Sequence, residues 1–468
     1  MAKARGRRQL WPAVAPLYHQ ERYQFTPALQ TPAYNQLGAL WLPWLLAAGL
    51  ATTNYQQAPR QGLTELYRWK QVDLQYPSPQ EHAAALSSGE FVPANNLPLG
   101  LDCWGDRVFL TLPRWKPTGV PVTLATVPRS GGGESPPLRP YPSWAWHRGP
   151  GCERLTSVFR VNVDPCGRLW VLDSGLEDVA SGSPRQRCPP QLLVFDLATD
   201  TLLHRYRLPR EQVKEGSLFS NVVVDVRAGR CDDAHAYLAD VWRFALVVYR
   251  LRDDTSWRVD HPLFFPEPAS CRYDVHGLVF RWTDGVFGLG LSPEERGDRT
   301  LFFHAMSSGR ECAVPASVLR NQSAVDEMGD LFAQLGEPRY PDRAQASASG
   351  VDRRGVLFYN LVSRDAVGCW NTRQPRGHVA DLQGVVAADG EALRFPNDLK
   401  VDHGERQAVW VLSNRLHQFL YAELDPAEHN FRVLTGWADE LTRDTVCDPD
   451  YVDVPPREDL APRLVCPV

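Results

Sequence analysis

A chain of 468 residues, 43% hydrophobic and 22% charged, is long enough to bury a large core. Its formal net charge of −5 leaves no basic excess to neutralise phosphates, which argues against a nucleic-acid partner. With 39 Pro, 34 Gly, 10% aromatic residues and little sustained 3.6-residue periodicity, the sequence reads as many short strands rather than helices.

Residues 1–36 carry a short basic cluster (Lys3, Arg5, Arg7, Arg8) and no motif, and read as an N-terminal extension. Residues 37–51 (LGALWLPWLLAAGLA) are apolar and uncharged, and Gly49-Leu50-Ala51 fits a small-x-small cleavage site. This run is shorter than the about 20 residues a membrane span needs. It predicts a secretory signal segment, an extracellular protein and no stable membrane insertion after cleavage; a signal anchor is the alternative. All ten cysteines follow it, as disulfides formed on export require.

From about residue 65 to 435 one pattern recurs six times: an alternating apolar run, an acidic or Gly-containing turn, and a second apolar run. The copies begin at Leu99, Phe159, Val222, Phe287, Ser349 and Asp398. Each reads as a hairpin, and their spacing leaves room for about four strands per copy. The predicted fold is all-β, a six-bladed β-propeller. The Pro/Gly/Ser-rich stretch 128–151 reads as a surface excursion. Residues 436–468, with Cys447 and Cys466, read as a disulfide-tethered tail. No CxxC pair or compact Cys/His cluster supports a metal. Cys166 lies in one hairpin turn and Cys188 just before the next strand, which predicts Cys166–Cys188, with Cys152–Cys231 as a second pair. Asn321-Gln-Ser323 is a glycosylation sequon.

Several long segments carry a resemblance: Ser157–Gly175, Pro113-Arg-Trp with Gly119–Leu124, Arg139–Trp144, Ala239-Asp-Val-Trp-Arg-Phe244, Asp284–Pro293, Phe395–Asp402 and Trp410–Arg415. Taken in chain order they resemble the yellow / major royal jelly protein family. The resemblance implies a secreted six-bladed propeller that binds a small aromatic amine or catechol-type ligand. It would act in body fluid or in cuticle or eggshell pigmentation, where cuticle or eggshell matrix is a partner. Some members convert dopachrome, so an isomerase of melanin formation is the alternative. The resemblance implies no cofactor.

In a propeller, polar and aromatic residues at matching places in successive repeats gather around the channel. The ligand candidates are Asn414, Asn397, Asn221, Tyr273, Ser307 and Asn360. Amine-binding relatives place polar contacts near Asn414. For each Asn the alternative is a turn or cap residue bonding nearby backbone. His276 and His304 are candidate general bases, because imidazole titrates near neutrality; the alternative is a core histidine. Phe395-Pro-Asn-Asp also resembles calcium-dependent lactonases, with Asn221, Asn360 and Asn397 as oxygen donors. Calcium needs six to eight such ligands, and no Glu stands at a matching place.

Overall fold

Each of the six hairpins forms the two inner strands of a four-stranded antiparallel sheet. The computed structural model describes residues 62–131 and 133–452. The signal-like segment, the N-terminal extension and Cys466 lie outside these residues. The inner strands are Gly100–Trp104, Val158–Val163, Phe219–Asp225, Val286–Leu291, Ala346–Val351 and Pro396–Val401, which number blades 1 to 6. They neighbour one another around a ring, and the fold is a six-bladed β-propeller. Blade 6 is completed by the start of the domain: Thr64–Trp69 pairs with Phe431–Trp437 as its outermost strand. This closure removes the free end that an open array of sheets would expose. Among the described residues the longest helix has ten residues, Pro79–Ser88.

Turn chemistry explains the acidic residue that follows several of the inner strands. Asp164 accepts from the Arg168 amide at 3.1 Å and from the Trp170 indole at 2.7 Å. Asp402 does the same with the Ala408 amide at 3.0 Å and the Trp410 indole at 3.1 Å. One carboxylate thus fixes both the turn and a large core side chain.

The inner strands leave backbone groups facing the channel side, and side chains of the preceding blade satisfy several of them. Asp102 accepts from the Val163 amide (2.7 Å) and Asn162 from the Val224 amide (3.0 Å). Asn221 donates to the Phe287 carbonyl (2.8 Å). The His304 ring reaches the Ser347 carbonyl (3.3 Å), and Ser347 donates to the Pro396 carbonyl (2.9 Å). Asp398 accepts from the Leu101 amide (2.9 Å) and Asn397 donates to the Leu99 carbonyl (2.8 Å), which returns the ring to blade 1. Asn414 adds a bond to the Pro98 carbonyl (2.8 Å). Gly288 is required here, because a Cβ on it would lie 2.1 Å from the His304 ring.

The four cysteines assigned to disulfides all form them, but with exchanged partners: Cys152–Cys188 and Cys166–Cys231. The predicted Cys166–Cys188 pairing is corrected by strand length. Arg168–Asp173 runs between these two residues from one face of the ring to the other. Six extended residues span about 20 Å, far beyond the about 4.4–6.8 Å between Cα atoms that a bridge allows. Cys166 and Cys231 occupy equivalent turns of neighbouring blades, whereas Cys152 and Cys188 meet at the opposite face. Cys369–Cys447 fastens the segment after blade 6 to blade 5. Cys103, Cys271 and Cys312 are buried free thiols.

If Asn414 fastens blade 6 to blade 1, Asn414→Ala strands the buried Pro98 carbonyl. The expected cost is about 1–3 kcal/mol of stability, read as a lower midpoint in denaturant melts, with dopamine affinity unchanged by calorimetry.

Candidate active site above a plugged channel

Contacts between blades that are not neighbours locate the channel axis. Phe159 of blade 2 and Phe287 of blade 4 meet edge-to-face at 6.1 Å, and Trp115 packs on Phe159 at 5.4 Å. The Arg160 guanidinium lies 4.5 Å from the Phe287 ring and pairs with Asp398 of blade 6 at 3.4 Å. Both charged groups are fully buried. Arg160 also donates to the Asn397 carbonyl. Five of the six inner strands carry a bulge near their start, and Phe159, Phe287 and Asn397 are bulged residues. A bulge re-aims side chains; here it turns the two rings toward the axis. The result is a plug that divides the channel.

Above the plug lies an aromatic cup. The hairpin Arg272–Val275/Leu278–Arg281 folds across it. Its tip, His276-Gly277, takes positive φ at both residues (51° and 81°), the geometry of a two-residue hairpin turn. Trp282 is the hub: its ring lies 5.2 Å from Tyr273, 4.6 Å from Phe280, 5.9 Å from Phe395 and 6.3 Å from Tyr421. The Trp282 indole donates to the Tyr421 hydroxyl. Tyr421 ends the short helix Leu416–Tyr421 and is 48% exposed, so the cup has a solvent-facing wall. Half-buried Asp284 and Trp242 complete it. The Trp242 indole donates to the Asp284 carboxylate, yet burial dominates and pushes the Asp284 carboxyl up to about 7. A carboxyl titrating there exchanges protons at neutral pH.

His276 and Tyr273 belong to the hairpin over this cup. The His276 Nε2 sits 2.6 Å from Asp365, whose carboxyl burial raises. The Tyr273 hydroxyl donates to the Met306 carbonyl (3.1 Å) and bonds Ser307, which donates to the Trp282 carbonyl (2.9 Å). Tyr273 and Ser307 therefore brace the hub. His304 is fully buried between Glu311 (2.9 Å) and Ser347, away from His276. Asn221, Asn397 and Asn414 commit amide groups to neighbouring blades, and Asn414 also accepts from the Leu416 amide (3.2 Å). Asn360 is buried within blade 5, and its side-chain amide has no hydrogen bond to protein. Asn321 is exposed and caps the helix Gln322–Glu327. No group of three or more His, Cys, Asp or Glu among the described residues is arranged to hold a metal. Sequence reading missed Trp242, Asp284, Trp282, Asp365, His417 and Tyr421, although Trp242 and Asp284 stand inside two of the quoted segments.

Residues 156–447 match the family profile described as major royal jelly protein. The chain belongs to the major royal jelly protein family. Within it, this royal jelly-type propeller is 42% identical over 395 residues to the dopaminechrome tautomerase of Drosophila melanogaster, a match covering 82% of this chain and 84% of that protein. It is 39% identical over 392 residues to protein yellow of Drosophila yakuba, covering 82% and 71%. Among solved structures, a streptogramin B lyase aligns with a TM-score of 0.38 and 9% identity, over 74% of this chain and 94% of that one.

His417 lies beneath the hairpin, stacked 5.3 Å from Phe395, fully buried and without a hydrogen bond to protein. Desolvation, with repulsion from His276, Arg394 and Arg415, pulls its pKa down to about 3 from 6.5. Between these values the unfolded chain binds a proton that the folded royal jelly-type propeller does not, so stability falls as pH drops through that window. Comparing His417→Phe with the parent cancels the opposite contributions of the raised carboxyls. The variant is expected to lose about 1.6 kcal/mol less than the parent between about pH 6.5 and 5, measured by denaturant melts at both pH values.

Proposed function

We propose that this protein is a secreted tautomerase of an aminochrome, a quinone derived from a small aromatic catecholamine, acting in melanin-type pigmentation of cuticle or eggshell. The observation that carries the proposal is Asp284, a carboxyl titrating near neutrality in a cup walled by Trp242, Trp282 and Tyr421. Aromatic faces suit a flat bicyclic ring. The relative named dopaminechrome tautomerase, at 42% identity, supports the same class of substrate.

The chemistry is an isomerisation. Asp284 removes a proton from a ring carbon, the C–H electron pair moves into the ring, and a quinone oxygen gains a proton to become a hydroxyl. A second proton passes from the neighbouring ring carbon to the other quinone oxygen, so two C–H bonds break, two O–H bonds form and no external oxidant or reductant is consumed. The paired His276 and Asp365 stand over the cup and supply or relay the proton to oxygen. Secretion is supported by the three disulfides, which suit an oxidising compartment. The exposed Asn321 sequon is the proposed glycan site.

A second reading, a binder without turnover, is favoured by the engagement of His276 with Asp365, which leaves the imidazole already partnered. One experiment separates the two. If Asp284 is the base, Asp284→Asn lowers the rate of dopaminechrome decay by about 100-fold or more, removes the inflection near neutral pH, and leaves the melting temperature close to that of the parent. Undiminished turnover in the variant would remove Asp284 from the reaction. A parent protein that binds dopamine calorimetrically but converts nothing would support the binder.

A further inference from the structure

Below the plug, where the inner strands end, the channel reopens as a cavity of about 410 Å³. Its wall is mixed: Val224, Leu289, Leu291 and Val351 supply an apolar part, and polar groups such as Asn162, Arg299 and Lys400 the rest. Two polar groups in this wall lack partners. Lys400 of blade 6 is half-buried and makes no ion pair or hydrogen bond among the described residues. Ser349 of blade 5 is 6% exposed, and its buried hydroxyl has no hydrogen-bond partner.

The other charges around the cavity do not replace them. Arg299 is engaged by Asp225 at 3.2 Å. Arg353, at the rim, donates to the carbonyls of His403, Gly404 and Glu405. Glu294 accepts from the Ala228 amide, and Asp352 holds Arg354. Asp102 lies behind Lys400 and accepts from the Val163 and Cys103 amides; its burial pushes the carboxyl up to about 7, so it neutralises Lys400 incompletely at neutral pH.

An unpaired cation and a free hydroxyl next to a patch of valine and leucine side chains recognise an anion carried on a small hydrophobic body. We propose that this lower cavity is a second ligand site, separate from the aromatic cup, that binds a small aromatic carboxylate. Lys400 takes the carboxylate, Ser349 donates to one of its oxygens, and the valine and leucine side chains cover the ring. The plug of Phe159, Phe287 and Arg160 separates the two sites, so this one neither needs nor competes with a ligand on the cup.

The test is calorimetric titration of the full chain with indole-2-carboxylate and with its neutral isostere, indole-2-carboxamide. The parent is expected to bind the carboxylate at least about tenfold more tightly, the order of a charge-assisted hydrogen bond. Lys400→Met is expected to abolish that preference and Lys400→Arg to retain most of it. Ser349→Ala is expected to weaken the carboxylate alone by about threefold to tenfold. Asp284→Asn, which acts on the cup, is expected to change neither affinity. Equal binding of the two probes by the parent would overturn the site without any variant. So would an unaltered preference in folded Lys400→Met, or a loss of carboxylate binding in Asp284→Asn.

Discussion

The Arg160–Asp398 ion pair, buried across the channel axis, is the constraint around which the molecule is arranged. Two charges in a water-excluded interior are costly unless their remaining hydrogen-bonding capacity is used. Asp398 is served by the Leu101 and Leu399 amides, and Arg160 by the Asn397 carbonyl and the face of Phe287. The pair and these partners come from blades 1, 2, 4 and 6, so the arrangement assembles only when the ring is closed, although Nε and Nη1 of Arg160 remain without a hydrogen bond. Gly100 fits the same demand: a Cβ there would press on the Arg160 side chain at 3.0 Å. By filling the axis, the pair and its two phenylalanines leave space for a ligand only above or below.

The ring itself depends on a second economy of polar groups. Each inner strand has an edge beside the channel, and an unpaired buried amide or carbonyl there would cost free energy. The side chains that meet this demand are short and polar: Asp102, Asn162, Asn221, Ser347, Asn397 and Asp398. They recur at matching places because the blades recur. That is also why they look like ligand residues in the sequence, and the same periodicity serves both readings until the partners are seen.

The blades were legible because a strand–turn–strand unit is local: alternating apolar residues and an acidic turn lie within about fifteen residues of chain. The closing role of Thr64–Trp69 was not, since its partner Phe431–Trp437 lies at the far end of the domain. Cys166 and Cys188 are near in sequence yet sit at opposite ends of one strand, so only the direction of Arg168–Asp173 reveals their true partners. The cup draws Trp242, Trp282, Asp284 and Tyr421 from three blades. No short window contains that set, and a lone Asp beside a strand reads as a turn residue. His276 and Tyr273 were picked out for their chemistry; both lie in the hairpin, His276 at its tip and Tyr273 fully buried as a brace for Trp282. His304 was picked out on the same grounds, but the strand Thr300–Ala305 buries it between blades.

The central claim is that the channel is closed by its own polar network and that ligand chemistry takes place above it. A crystal structure with 5,6-dihydroxyindole bound tests this directly. The expected result is the ring against Trp282 and Tyr421 with a polar atom within hydrogen-bond distance of Asp284, and with Arg160–Asp398, Asn397–Leu99 and Asn414–Pro98 intact. Density for the ligand inside the channel, bonded to the Asn397 or Asn414 amide in place of those carbonyls, would contradict it.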